Sequence, residues 1–159
     1  MEIRPYRAGD ESGIAALIVP IQQEEFGIPI SYEDQPDLRD IPGFYLTGAG
    51  QFWVAVEGEA IVGSIALKDI GGGAAALRKM FVAPSHRGQP HRAAARLLAA
   101  LLSHAREVGL TSLYLGTTAK FLAAHRFYEK SGFSPITPDE LPPTFPRMAV
   151  DTRFYFLSL

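Results

Sequence analysis

The stretch LRKMFVAPSHRGQPHRAAARLLAALLSHAREV, Leu77 to Val108, decides how the rest of the chain is read. Leu77, Met80, Phe81 and Val82 form an apolar run short enough for a strand, and Pro84 breaks it. His86-Arg87-Gly88-Gln89-Pro90-His91-Arg92 then makes a basic turn. Beyond it Ala94, Leu98, Leu101, Ala105 and Val108 recur at alternating intervals of four and three residues, the apolar stripe of a helix packed on a core. Pro90 suits the first helical position, where its missing N–H has no partner to lose, and Gly109 suits the stop. Strand, basic loop and helix N-terminus in this order gather free amides and positive charge at one point. Such a point suits a phosphate or pyrophosphate.

Upstream, Met1–Tyr6 predicts a short strand with Ile3 inward and Pro5 near its end. Asp10 or Ser12 can cap a helix carrying Ile14, Leu17, Ile18 and Ile21 on one face, with Pro20 predicting a kink or an end near Val19. Residues 24–51 combine acidic groups, prolines and aromatics, which predicts short helices and loops forming either a pocket wall or a solvated acidic face. Gln51–Glu57 and Ala60–Lys68 are apolar runs joined at Gly58-Glu59, a hairpin signal. Gly71-Gly72-Gly73 reads as a turn into a third strand, Ala74–Val82, because no helix with Lys-Ser/Thr follows as a phosphate loop requires.

Downstream, Leu110–Leu115 predicts a buried strand ended by Gly116-Thr117-Thr118. Ala119–Lys130 predicts a second helix stopped by Ser131-Gly132. Five prolines between 134 and 147 predict a long loop, and Met148–Leu157 a closing strand with Phe154 and Phe156 on one face and Tyr155 on the other.

A chain of 159 residues, 47% hydrophobic and 20% charged, fits one α/β domain spanning 1–159 with a real core. The net charge of −2 gives no general attraction to nucleic acid or to an anionic membrane, so neither is an expected partner. The chain has no cysteine, which excludes disulfides, thiolate metal sites and a Cys nucleophile. With no apolar signal core at the N-terminus and no membrane-length apolar run, the expectation is a cytoplasmic protein.

The order of elements, with two local matches, resembles the GCN5-related N-acetyltransferase (GNAT) family. Met80-Phe81-Val82-Ala83-Pro84, then Arg87-Gly88 and a long helix, looks like that family's acetyl-CoA motif. Ala123-Ala124-His125-Arg126-Phe127-Tyr128-Glu129-Lys130-Ser131-Gly132-Phe133 looks like its A-x-x-x-F/L-Y-E-K-x-G-F signature. The resemblance covers nearly the whole chain. It implies an α/β fold with a mixed, mostly antiparallel central sheet flanked by helices, and transfer of acetyl from acetyl-CoA to a primary amine of a small molecule or peptide.

On this resemblance Tyr128 is the catalytic acid that protonates the leaving CoA thiolate. Met80, Phe81, Val82, Arg87, Gly88, Gln89, His91, Arg92, Ala93, Thr117 and Phe121 are the expected cofactor-binding positions, with backbone at Met80 and Val82 meeting the pantetheine arm. The chain departs from the family's Arg/Gln-x-x-Gly-x-Gly/Ala loop: counted from Arg87, Pro90 and Arg92 replace the glycines, and counted from Gln89, Arg92 replaces the first while Ala94 fits the last; Phe121 stands where many relatives have an asparagine. Arg92 either crowds the pyrophosphate or swings onto it. A non-catalytic acyl-CoA-binding or regulatory module with the same fold is the alternative.

Glu25, Phe26 and Tyr32 are the expected acceptor-lining residues, and the acidic segment 24–40 suggests a cationic acceptor. Glu24, Glu25, Asp69 and His125 are candidates for the base by residue type, His125 reading otherwise as a surface histidine. No spacing among the histidines suggests a metal site, and none is expected. The closing strand, Phe154 to Leu159, could add to a partner chain in a homodimer.

Overall fold

The runs QFWVAVE and AIVGSIALK contain few polar positions because the sheet they enter is covered on both faces. In the computed structural model, which describes residues 1–159, β1 (Glu2–Pro5), β2 (Gln51–Glu57), β3 (Ala60–Gly71), β4 (Ala74–Val82), β5 (Ser112–Thr117), β6 (Ser134–Ile136) and β7 (Arg153–Ser158) form one sheet. Its spatial order is β1-β2-β3-β4-β5-β7-β6, and only the β4–β5 pair is parallel. The helices are α1 (Glu11–Pro20), α2 (Pro36–Arg39), α3 (Ile41–Tyr45), α4 (Ala93–Glu107) and α5 (Leu122–Lys130). This is the mixed, mostly antiparallel sheet flanked by helices that the resemblance implies.

Alternation along β2 divides the interior. Phe52 and Val54 face α1, α2 and α3 with Ile14, Ile18, Leu38 and Ile41, while Trp53 and Ala55 face α4 with Leu97, Leu98 and Leu101. Helix α4 lies close on β3 because Gly63 has no side chain; a Cβ there would stand 3.0 Å from Leu97 Cδ1 and 3.1 Å from Ala55 Cβ.

Several boundaries differ from expectation. The end of the first helix is not one of them: α1 stops at Pro20, next to Val19 as expected, and a π-helical turn, Ile21–Glu25, follows. The wider turn absorbs the donor that proline lacks, and Phe26 N–H reaches back five residues to the Ile21 carbonyl at 3.2 Å. Asp10 precedes α1, but its carboxylate accepts from Arg4 at 2.8 and 2.9 Å and from Arg7 N–H at 2.8 Å, not from the helix. Pro90 is not helical, since α4 starts at Ala93, and the Gln89–Pro90 peptide is cis. The buried stripe of α4 is Ala93, Leu97, Leu98, Leu101 and Ala105; Ala94 sits at its margin and Val108 is 45% exposed. Helix α5 begins at Leu122, three residues later than Ala119.

Strand β5 continues through Gly116 and Thr117 because β7 supplies partners, Gly116↔Phe154 and Thr117↔Arg153. A short strand, β6, occupies the proline-rich segment, and Pro135 is accommodated because β6 is an edge. Strand β7 lies between β5 and β6, and Phe154–Phe156 are paired on both sides. No helix is long and apolar enough to cross a membrane.

Leu101 is fully buried between α4 and the sheet. Leu101→Ala is expected to lower the unfolding free energy by about 3 kcal/mol in urea titration; a loss below about 1 kcal/mol would show that the layers close over the cavity.

Candidate functional site

Parallel pairing of β4 with β5 covers only Ala74↔Ser112, Ala75↔Leu113 and Ala76↔Tyr114. Past these pairs the strands separate and a cleft opens, walled by Leu77, Met80 and Phe81 on one side and by Gly116, Thr117, Phe121 and Tyr128 on the other. A bulge shapes the β4 wall: Ser64 faces Phe81 and Ala66 faces Arg78, so Lys79 and Met80 together oppose Ile65. Lys79 adopts φ 52°, unusual for a residue with a side chain, and the buried Ser64 hydroxyl donates to its carbonyl at 2.7 Å.

The α5 stripe brings Tyr128 inward. It is 5% exposed and packs on Phe133 and Tyr155, with ring centroids 5.6 and 6.1 Å away. Its ring lines the cleft, and its hydroxyl bonds to no protein group. Burial pushes its pKa well above the ordinary phenol value, so it holds its proton at neutral pH.

At the other end, α4 offers its first turn. The first intrahelical bond runs from Arg96 N–H to the Arg92 carbonyl at 3.0 Å, leaving the preceding amides of Ala93, Ala94 and Ala95 without helical acceptors. Arg92, just ahead of the helix, has φ 52°, a conformation that glycine adopts without penalty. Its N–H donates to the Gly88 carbonyl at 2.8 Å, and its exposed side chain makes no hydrogen bond. Gly88 (φ 67°) and exposed Gln89 complete the loop. Arg87 is committed elsewhere, donating to the Val82 carbonyl at 2.9 Å and to Glu25 at 2.5 and 2.7 Å. His91 stacks on His86 at 4.3 Å between ring centroids, and with Glu57 these histidines place one ligand atom each within 4.8 Å of one another. That grouping of potential metal ligands was not legible in the histidine spacing.

The acceptor-lining expectations divide. Phe26 reaches the cleft's rim by packing edge-on against Phe121 at 4.4 Å. Glu25 is held by Arg87 instead, and Tyr32 packs against the second core, off the cleft wall. From this segment Gln22, Ile28 and Ile30 line the cleft. None of the acidic groups of 24–40 lines the cleft: Glu24 and Glu33 are exposed, Asp34 bonds Ser31, and Asp40 accepts from Gly43 N–H at 3.0 Å.

None of the base candidates lines the cleft. Asp69 accepts from the N–H groups of Ala49 and Gly71 at 2.9 Å each, which hold its carboxyl below the usual range. His125 is 4% exposed, not a surface residue, and its Nε2 must carry a proton because it faces the Thr118 carbonyl at 2.9 Å.

A buried polar network beneath the bulge has no counterpart in the sequence-based expectations. Asp37 accepts from the Tyr45 hydroxyl at 2.6 Å and lies 3.5 Å from Lys79 Nζ and 3.8 Å from Arg78. Lys79 also donates to Gln35 at 2.7 Å, and Gln35 exchanges hydrogen bonds with Gln22 at 2.9 and 3.1 Å. Burial lowers the Lys79 pKa and the Asp37 carboxylate opposes that shift; burial raises Tyr45 far above its ordinary value. Asp151, also on the cleft wall, has its pKa raised by burial. The clue available was Arg78-Lys79 itself, two adjacent cations within a strand read as apolar.

A sheet that parts between two parallel strands, with an open helix start at one end of the opening and a buried tyrosine on its wall, is an acyl-CoA N-acyltransferase architecture. The sequence profile of the Acetyltransferase (GNAT) family matches residues 16–133, and the chain belongs to that family. An acetyltransferase of the GNAT family from Staphylococcus aureus Mu50 shares 37% identity and covers 99% of this chain with 98% of its own, at a TM-score of 0.94. An acetyltransferase from Streptococcus agalactiae 2603 matches at 36% identity over 99% of this chain and 98% of its own, with the same TM-score, 0.94. N-acetylaspartate synthetase of Xenopus tropicalis is 37% identical over 102 residues, 61% of this chain and 36% of the relative. N-acetyltransferase 8F1 of Rattus norvegicus is 35% identical over 61% of this chain and 45% of its own length. The matched region thus spans less than half the length of these two relatives.

Arg92→Gly is expected to raise the unfolding free energy by about 1 kcal/mol, because it relieves a left-handed residue whose side chain holds nothing. Urea titration reads this directly; an unchanged or lowered midpoint would mean the Arg92 side chain contributes as much as its backbone costs.

Proposed function

We propose that this chain transfers the acetyl group of acetyl-CoA to a primary amine of a small molecule or peptide by direct attack. The observation that carries the reading is the Tyr128 hydroxyl, proton retained, free of protein partners and on the wall of the cleft. Amides of Ala93 to Ala95 suit the pyrophosphate, with Gly88, Gln89, His91 and Arg92 around it. The β4 backbone at Met80 and Val82, which no longer pairs with β5, suits the amides of the pantetheine arm, with Phe81, Thr117 and Phe121 beside the chain. The Val82 carbonyl already accepts from Arg87, so its N–H is the group more available.

The nitrogen lone pair adds to the thioester carbonyl, the C–N bond forms and the C–S bond breaks. Tyr128 delivers its proton to the departing thiolate, a transfer favoured by proximity, and the proton shed by the attacking nitrogen restores the Tyr128 hydroxyl. Arg92 takes up the backbone conformation that a glycine would supply, which argues against the loop having lost its role, and Tyr128 on the cleft wall favours an enzyme over a non-catalytic module. The relatives named N-acetylaspartate synthetase support a small-molecule acceptor.

Tyr128→Phe is expected to lower kcat by about 100-fold, the scale of general acid catalysis, with the acetyl-CoA dissociation constant from calorimetry unchanged. Equal turnover by the variant would remove Tyr128 from the acid role. Absence of acetyl-CoA binding at millimolar concentration by the parent protein would end the acetyl-transfer reading.

A further inference from the structure

Two opposite charges line one wall of the cleft without closing on each other. Arg78 donates Nε to the Tyr45 hydroxyl and Nη1 to the Pro146 carbonyl, both at 3.0 Å, while Nη2 has the Met148 sulfur at 3.7 Å, a weak acceptor, and Asp37 at 3.8 Å. Asp37 is shared with Tyr45 and Lys79, so it does not neutralise the guanidinium alone. Asp151 accepts Met148 N–H on Oδ2 at 2.9 Å, and its Oδ1 accepts from no protein group. Asp151 is the sole carboxylate on this wall, and although Arg78 and Asp151 each favour the charged form of the other, they form no ion pair. A largely buried guanidinium edge and a carboxylate oxygen are poorly served by a purely apolar ligand or one bearing a single charge.

We propose that the acceptor is a free amino acid, bound as a zwitterion with its carboxylate on Arg78 and its ammonium on Asp151. Lys79 is engaged by Gln35 and Asp37 and adds positive field without taking the carboxylate itself. A free amino acid carries both charges on one carbon, whereas the amine of a peptide is far from its carboxylate and a polyamine has no anion. During transfer one ammonium proton passes to Asp151 Oδ1, the freed lone pair forms the C–N bond, the C–S bond breaks, the thiolate receives the Tyr128 proton, and the second proton lost by the nitrogen restores the Tyr128 hydroxyl. Burial raises the Asp151 pKa and makes it a stronger base than a surface aspartate. The inference rests on the acetyl-transfer reading.

The test is CoA-thiol release from acetyl-CoA with each of the common amino acids, their α-carboxamides, and spermidine. At least one amino acid is expected to exceed its carboxamide by about 100-fold in kcat/KM, as for a site built to pair with a group the analogue lacks. Asp151→Asn and Arg78→Gln should raise the amino-acid KM at least about tenfold while leaving acetyl-CoA affinity by calorimetry unchanged. Since Arg78 also anchors Tyr45 and Pro146, Arg78→Lys, which keeps the charge and loses the fork, should show the same selective KM rise. Transfer to spermidine or to carboxamides as fast as to any amino acid overturns the zwitterion site while leaving acetyl transfer intact. Failure to bind acetyl-CoA, or release with no amine at all, ends the acetyl-transfer reading and this inference with it.

Discussion

Strands β4 and β5 share pairs only from Ala74↔Ser112 to Ala76↔Tyr114, and the groups assigned to chemistry lie beyond the last of them. Had the pairing continued, backbone donors and acceptors of Leu77–Val82 would have been consumed by the neighbouring strand. The separation is enforced from both sides. On β4 the bulge at Lys79, secured by the Ser64 hydroxyl, bends the strand; on β5, antiparallel pairing with β7 through Thr117 draws the strand the other way. The result is a slot with backbone on one wall and side chains of α5 on the other.

Beneath the bulge the charges hold one another. Asp37 is the hub, with Tyr45, Lys79 and Arg78 around it and the Gln22–Gln35 pair fixing Lys79 from the far side. Removing one member of such a buried ionic set typically costs about 3–5 kcal/mol because an uncompensated charge is left behind. The network therefore orders the segment after α1 against β4 and also sets the field at the cleft wall that Arg78 and Lys79 line. Glu25 and Arg87 make a second tie between the same segment and the loop before α4. Both ties thus run to residues 22–37, of which 26–35 belong to no helix or strand.

Much of the architecture was legible locally. The hairpin at Gly58-Glu59, the strand Ala74–Val82 and the amphipathic helix after the basic turn follow from apolar runs and punctuation, which are properties of neighbours in sequence. Tyr128 was legible through its surrounding signature. Pro90, by contrast, was misplaced: a residue suited to the start of a helix stands in a turn ahead of it, because Arg92 accepts the left-handed conformation that begins the helix later. His125 was misread as exposed because its i, i+3 relation to Tyr128 does not reveal that Thr118 and Arg153 fold over it. Composition shows how many carboxylates the acidic segment holds, not that Glu25 pairs with Arg87, that Asp34 bonds Ser31 or that none of them lines the cleft.

From sequence alone come the element order, the family, the amphipathic helix after the basic turn and the signature that carries Tyr128, since these rest on periodicity and a contiguous motif. Only the tertiary structure decided which charges the cleft wall presents. Arg78, Asp37 and Asp151 lie far apart along the chain, and their charges acquire meaning only through which are paired, at what distance and how far from water. Long-range pairing across a sheet is where that information resides, and no local pattern encodes it.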